Sequence, residues 1–151
     1  MQVVIQKVKN AKVTVDNQIT GSIQEGFVLL VGLEDGDTVA DVSKAAEKIA
    51  NMRIFEDEDG KINESLHQHG GEVLSISQFT LAADVRKGNR PSFTQAMHPD
   101  EARTLFSVFN EQLEKQSLKV ETGVFQAHMN VELDNDGPVT IILRVRDGKV
   151  L

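Results

Sequence analysis

Residues 27–52 read "FVLLVGLEDGDTVADVSKAAEKIANM", and the fold turns on how this stretch divides. Its first part, Phe27–Leu33, is apolar almost without interruption. A run of this kind is a strand covered on both faces, and so one from the middle of a sheet. After "EDGD" the period changes. Val39, Val42, Ala46, Ile49 and Met52 recur at spacings of three and four, which marks one face of a helix, and Asp37 or Thr38 can cap its start.

Working outward, the preceding "QVVIQKVKNAKVTVD" is rich in Val and Ile and reads as two strands divided near Asn10, and "NQITGSIQEG" as a turn, a short strand and a turn. Downstream, "FEDEDGKIN" is an acidic turn, and "EVLSISQFTLA" a second buried strand that runs out into a polar loop. "HPDEARTLFSVFNEQLEKQ" is a second helix. Pro99 sits in its first turn, Asp100 and Glu101 favour the positive end of its dipole, and Ala102, Leu105, Phe106, Phe109 and Leu113 form its apolar face. "LKVETG", "VFQAHMNVELD" and "PVTIILRVRDG" close the chain as strands. A run of consecutive strands before the first helix breaks the regular alternation of a doubly wound α/β fold. The expectation is an α+β fold, a mixed, curled sheet of about seven or eight strands with two main helices over one face. No repeat, linker or low-complexity tract interrupts residues 1–151, so a single domain is expected. The two helices offer few apolar positions, so part of the sheet is expected to be covered by a second copy of the chain, in a homodimer.

The bulk composition, 40% hydrophobic and 26% charged, is that of a globular protein. The absence of cysteine removes disulfides and thiolate metal sites. The opening "MQVVIQKVKN" lacks the basic-then-apolar order of a signal peptide, and the longest apolar runs are too short to cross a bilayer. A cytoplasmic protein without a membrane partner is expected. A net charge of −7 argues against a broad, non-specific grip on nucleic acid, DNA included. It leaves room for a local basic cluster that holds one RNA end. Two clusters exist: Lys7, Lys9 and Lys12, and the Gly- and Pro-containing "DVRKGNRPSF" with Arg86, Lys87 and Arg90.

Most candidate chemistry fails on spacing. His67 and His69 in "HQHGG" lack a third metal ligand and read as turn residues. "EDEDG" misses the calcium-loop pattern, since Phe55 would occupy the first ligand position. No nucleophile elbow, P-loop or dinucleotide fingerprint occurs. No Ser or Asp is tied by spacing to His128, which reads as a strand histidine on a polar face. Two stretches remain. "SISQFTLA" places Ser77, Gln78 and Thr80 around Phe79 where a buried strand ends. Hydroxyls, an amide and free backbone N–H groups there are the parts of an oxyanion hole, or simply satisfy a strand terminus. "DNDGPVT", Asp134–Thr140, puts Gly137 and Pro138 where an apolar run begins. It reads as a turn closing a hairpin, or as a rigid backbone tip that something else must meet.

Taken together, "SQFTL" at Ser77–Leu81 and "NDGPVT" at Asn135–Thr140 resemble the two signature motifs of the D-aminoacyl-tRNA deacylase family. "VVIQKVKNAKVTV", "RIFEDEDGKIN" and "LAADVRKGNRPSF" resemble that family in the same order, so the likeness spans nearly the whole chain. The resemblance implies a homodimer that hydrolyses the ester between a D-amino acid and the 3′-terminal adenosine of tRNA. It also implies action on glycine mischarged on tRNA, rejection of L-aminoacyl esters, and no cofactor or metal ion. Residue by residue, the Phe79 N–H would hold the scissile carbonyl, and Ser77, Gln78 and Thr80 would shape the pocket. Phe125 and Met129 match residues that pack beside the adenosine. Gly137 and Pro138 match a cis Gly-Pro pair that reaches into the partner's pocket.

Lys7 departs from the pattern, since the family often carries Arg there, whose fork can fix the Gly-Pro carbonyls. Nothing in the sequence supplies a base beside Thr80, so the tRNA's own 2′-hydroxyl is the expected assistant in catalysis. The rival readings are a non-catalytic dimeric RNA-binding module that uses Arg86, Lys87 and Arg90, and an esterase for small esters.

Overall fold

The computed structural model describes residues 1–151. The strands are β1 (Gln2–Val15), β2 (Gln18–Ile23), β3 (Gly26–Gly32), β4 (Phe55–Glu56), β5 (Ile62–Glu64), β6 (Glu72–Ser77), β7 (Val120–Thr122), β8 (Asn130–Arg146) and β9 (Lys149–Val150). The helices are α1 (Val39–Asn51), the single-turn α2 (Leu66–His69) and α3 (Pro99–Lys115), with a 3-10 turn at Phe79–Ala82. Seven strands form one sheet in the order β7-β6-β3-β1-β8-β9, with β2 also paired to β1, while β4 and β5 make a separate hairpin. The β3–β6 and β6–β7 pairs are parallel and the rest of the sheet is antiparallel. The fold is therefore α+β with a mixed sheet, as the sequence implies.

The reading of Phe27–Leu33 holds. Phe27, Leu29 and Val31 enter the main core beneath α1 and α3, and Val28 faces a second, smaller core on the opposite side of the sheet. That second core closes because the sheet curls until β2 lies against β6 and β7. The approach is so close that a Cβ at Gly21 would fall 2.6 Å from the Thr122 carbonyl oxygen. In α3 all five expected positions are buried. In α1, Val39 is 54% exposed, and Ala45 and Ala50 join the buried face instead. Of the two cap candidates, Thr38 takes the N-cap, and its N–H and hydroxyl donate to Asp41 Oδ2 at 2.8 and 3.1 Å. Asp37 instead accepts from the Met1 ammonium at 2.6 Å and from the Glu34 N–H at 2.7 Å.

Other expectations are corrected. β1 is one strand through Asn10, but its register against β8 shifts between Gln6 and Val8 and again between Val8 and Ala11. The irregularity turns Ala11 and Val13 into the second core, whereas Val3 and Ile5 serve the first. A residue slipped in the ladder has that effect on a period-two pattern. "DNDGPVT" is not a hairpin turn. β8 continues through it, because β1 resumes pairing on both sides, with Val8 opposite Asn135 and Gln6 opposite Thr140. Residues 136–139 bulge out opposite Lys7 alone. The strand begins only at Asn130, so Phe125, His128 and Met129 lie in the loop before it. His67 and His69 belong to α2. His69 stacks on Phe55 with ring centres 4.3 Å apart and meets Glu25 at 2.5 Å, which accounts for it structurally.

Candidate active site

β6 makes its last ladder contact just beyond its end, where the Gln78 N–H donates to the Val31 carbonyl at 2.8 Å. The chain then tightens into the 3-10 turn, closed by Leu81 N–H to Gln78 O (3.2 Å) and Ala83 N–H to Thr80 O (3.1 Å). Phe79 and Thr80 open this turn, so their N–H groups have no carbonyl within it to bond. The turn seats on β3 because position 32 is glycine. A Cβ there would lie 2.8 Å from Leu81 Cβ and 3.3 Å from the Gln78 carbonyl oxygen.

Beside the turn opens a cavity of about 840 Å³. Ser77, Gln78 and Phe79 line one wall, and Phe125, His128 and Met129 of the β7–β8 loop another. The segment before α3 completes it with Phe93, Met97 and His98. Phe93 meets Phe79 edge-on, with ring centres 5.2 Å apart, and Phe79 is 56% exposed at the opening. An apolar chamber of this size with a few polar groups at one wall suits a nucleoside and a small acyl group. The unpaired Phe79 N–H on its wall can stabilise a carbonyl oxygen as it gains charge.

Ser77, Gln78, Phe79, Phe125 and Met129 are thus brought together, although nearly fifty residues separate the two groups. Thr80 is not on the cavity wall. Its hydroxyl accepts a hydrogen bond from Gln78 Nε2 at 2.5 Å, and an amide cannot take up a proton.

Gly137 and Pro138 are exposed on the bulge of β8 and do not line the cavity of their own chain. Their peptide bond is cis, and Gly137 has φ +134°. The bulge is braced from within. Asn135 Oδ1 accepts the Val139 N–H at 3.1 Å, and Asn135 Nδ2 donates to Thr140 Oγ1 at 3.0 Å. Lys7 Nζ lies 3.9 Å from Asp136 Oδ2 and 5.4 Å from the centre of the Phe55 ring. It therefore reaches the residue before Gly137 through its charge.

The basic loop is tied at its base by reciprocal backbone bonds between Asp84 and Ser92, at 2.7 and 2.9 Å. Arg86 folds back on it, with Nε and Nη2 donating to the two Asp84 carboxylate oxygens at 2.9 and 2.6 Å. These side-chain bonds, aided by the Arg86 N–H, hold the Asp84 carboxyl down at about 2, and the same contact raises Arg86. Lys87 and Arg90 are exposed. Phe93, Met97 and His98 escape a reading of the sequence. They sit between the basic loop and α3 with no periodicity of their own, and only the aromatic in "RPSF" offers a signal.

The model of the D-Tyr-tRNA(Tyr) deacylase family matches residues 4–144. A D-aminoacyl-tRNA deacylase of Lactobacillus gasseri is 57% identical over 145 residues, 96% of this chain and 100% of that protein. Among solved structures, one of a c-Myc DNA unwinding element binding protein superposes with a TM-score of 0.89 at 40% identity, covering 95% of this chain and 98% of that one. A probable eukaryotic D-amino acid tRNA deacylase shares the fold, with a TM-score of 0.80 at 18% identity over 93% of this chain and 97% of that one. The chain belongs to the D-Tyr-tRNA(Tyr) deacylase family.

Proposed function

We propose that the chain, a carboxylic ester hydrolase of the D-aminoacyl-tRNA deacylase kind, edits mischarged tRNA by reading the chirality of the amino acid with backbone rather than with a side-chain pocket. The observation that carries this reading is the cavity itself. It joins the unpaired Phe79 N–H, just after the end of β6, to an apolar wall of Phe125 and Met129. The 3′-terminal adenosine packs against that wall, and the scissile carbonyl sits at the Phe79 N–H. That donor stabilises the oxyanion as water attacks, while Ser77 and Gln78 hold the surroundings of the amino group.

The exposed Gly137–Pro138 bulge enters the cavity of a second copy in a homodimer, where its carbonyls occupy the direction of an L-residue's Cβ. A D-residue's Cβ points elsewhere and glycine has none, so D-aminoacyl and glycyl esters are both accepted. The tRNA 2′-hydroxyl assists water, because the Thr80 hydroxyl has an amide beside it and no base. The tRNA body rests on Lys87 and Arg90, with Arg86 shaping the loop that presents them.

The test is deacylation of D-Tyr-tRNA and L-Tyr-tRNA side by side. Release of D-tyrosine alone is expected. Binding without release would leave an RNA-binding module, and equal turnover of a small D-aminoacyl ester would indicate a general esterase.

A further inference from the structure

We propose that Arg103 is a positioning residue for the nucleoside-facing wall, clamping the β7–β8 loop so that Phe125 is presented to the terminal base. The inference rests on the reading above, in which Phe125 meets that base. The loop needs a clamp. Gln126 stands at φ +67°, in the left-handed region that side chains with a Cβ disfavour. Within the loop, one backbone bond of 3.2 Å, from the Ala127 N–H to the Val124 carbonyl, closes the turn. Arg103 supplies what is missing from α3, one residue after the cavity-lining Ala102. Its Nη2 donates to Gln126 Oε1 at 2.9 Å, and its Cζ lies 4.6 Å from the centre of the Phe125 ring.

The Phe106 ring, also from α3, lies 6.2 Å from Phe125, so this helix contacts the ring with both an aromatic and a cation. A guanidinium suits the task because one flat group can stack on a ring and donate in its own plane at once, which an ammonium cannot do.

The test is steady-state deacylation of D-Tyr-tRNA by the wild-type protein and by Arg103→Ala, Arg103→Lys, Gln126→Ala and the double variant Arg103→Ala/Gln126→Ala. The same proteins are mixed with tRNA carrying 2-aminopurine as its terminal base, whose fluorescence is quenched by stacking. One exposed hydrogen bond and one exposed cation–π contact cap the loss, and positioning passes only part of it on to substrate binding. KM rises roughly 5- to 20-fold in Arg103→Ala while kcat stays within about twofold, and 2-aminopurine quenching falls. Lysine does not restore either quantity. Gln126→Ala shows a smaller rise, and the double variant is no worse than Arg103→Ala, because the two side chains act as one unit.

Rescue by lysine, additive losses, or an unchanged KM and quench would overturn the proposal. So would a fall in the salt dependence of binding by one phosphate contact with the quench intact, since Arg103 would then be a phosphate ligand. Gln126→Ala, an exposed loop change, keeps the test open should Arg103→Ala fold poorly. An active wild type with unaffected variants sinks this inference alone. A wild type that releases no D-tyrosine sinks the functional reading, and this inference with it.

Discussion

Gly137→Ala is the sharpest perturbation of the proposed chiral filter. At φ +134° the position is one that L-residues rarely adopt, and the new Cβ would lie 2.8 Å from Val139 Cγ2 and 3.1 Å from the Val139 nitrogen. The valine methyl can rotate away, whereas the nitrogen is backbone, held by its bond to Asn135 Oδ1. The strained backbone costs an L-residue about 1–3 kcal/mol. The bulge is exposed in its own chain, so its least costly relief is to rotate its carbonyls and leave the core of the sheet alone.

If those carbonyls exclude the L-residue's Cβ, the same ~1–3 kcal/mol reappears as lost discrimination, a fall of roughly 5- to 150-fold in the ratio of kcat/KM for D- over L-Tyr-tRNA. Tm should fall by about 2–12 °C for a chain of this size. The assay compares both substrates at matched protein concentration, with a thermal melt of each sample. A variant that loses thermal stability as stated yet keeps the wild-type D/L ratio refutes the wedge. Chirality would then be read inside the cavity.

Thr80→Ala should retain deacylation within about tenfold of wild type, the scale of one hydrogen bond; an aminoacyl ester trapped on Thr80 in the wild type would show the reverse. Lys87→Ala and Arg90→Ala should each weaken tRNA binding and lower the slope of log K against log salt by about 0.7–0.9. Arg86→Ala should lower that slope less, because Asp84 already offsets its charge, and equal effects from all three would contradict this. Acid stability should follow Asp41. Burial raises its pKa, but bonds from the Gly148 N–H and from the Thr38 N–H and hydroxyl, with the Met1 ammonium nearby, more than offset burial and leave the pKa below its ordinary 3.8. A depressed carboxylate stabilises the fold fully above the unfolded value and loses that contribution as pH falls through the folded one. Asp41→Ala should therefore cost more stability at pH 7 than near pH 3, as read by thermal melts at each pH.

The parts of this molecule that were legible in the sequence are those where one burial pattern extends over many residues. β3 declares itself because both faces are covered, and α3 because every buried position falls on one stripe. The misread parts are those where a distant partner overrules local chemistry. Asn-Asp-Gly-Pro carries every mark of a turn, yet β1 pairs on both sides of it and converts the turn into a bulge. The opposite error occurs at residues 124–129. The alternation of "VFQAHM" imitates a strand, but Gln126 turns left-handed and the segment faces a cavity instead of a neighbour. Periodicity alone cannot separate an alternation that pairs from one that lines a chamber. The clamp by Arg103 was equally hidden, since its partners lie more than twenty residues away on another element.

The bulge also bears on why backbone would be the suitable material for the proposed filter. A complementary pocket could separate amino acids only by about 1–3 kcal/mol per methylene. It would also bind some D side chains better than others. A steric block needs the opposite properties: indifference to the side chain and an inability to move aside. Residues 136–139 have no ladder partner on β1, so their rigidity must come from elsewhere. Asn135 supplies it by accepting the Val139 N–H and donating to Thr140 at the point where β8 rejoins β1 through the Gln6–Thr140 pair. Lys7 adds charge at the other foot, opposite Asp136. Both feet of the bulge are thus fastened to the sheet while its tip, Gly137 and Pro138, stays free of its own chain. A feature so firmly based and so exposed has no role in the packing of the chain that carries it. In the proposed dimer it would meet the open cavity of another copy, where Ser77, Gln78 and Phe79 would hold the carbonyl and this tip would decide which side of the α-carbon can be filled.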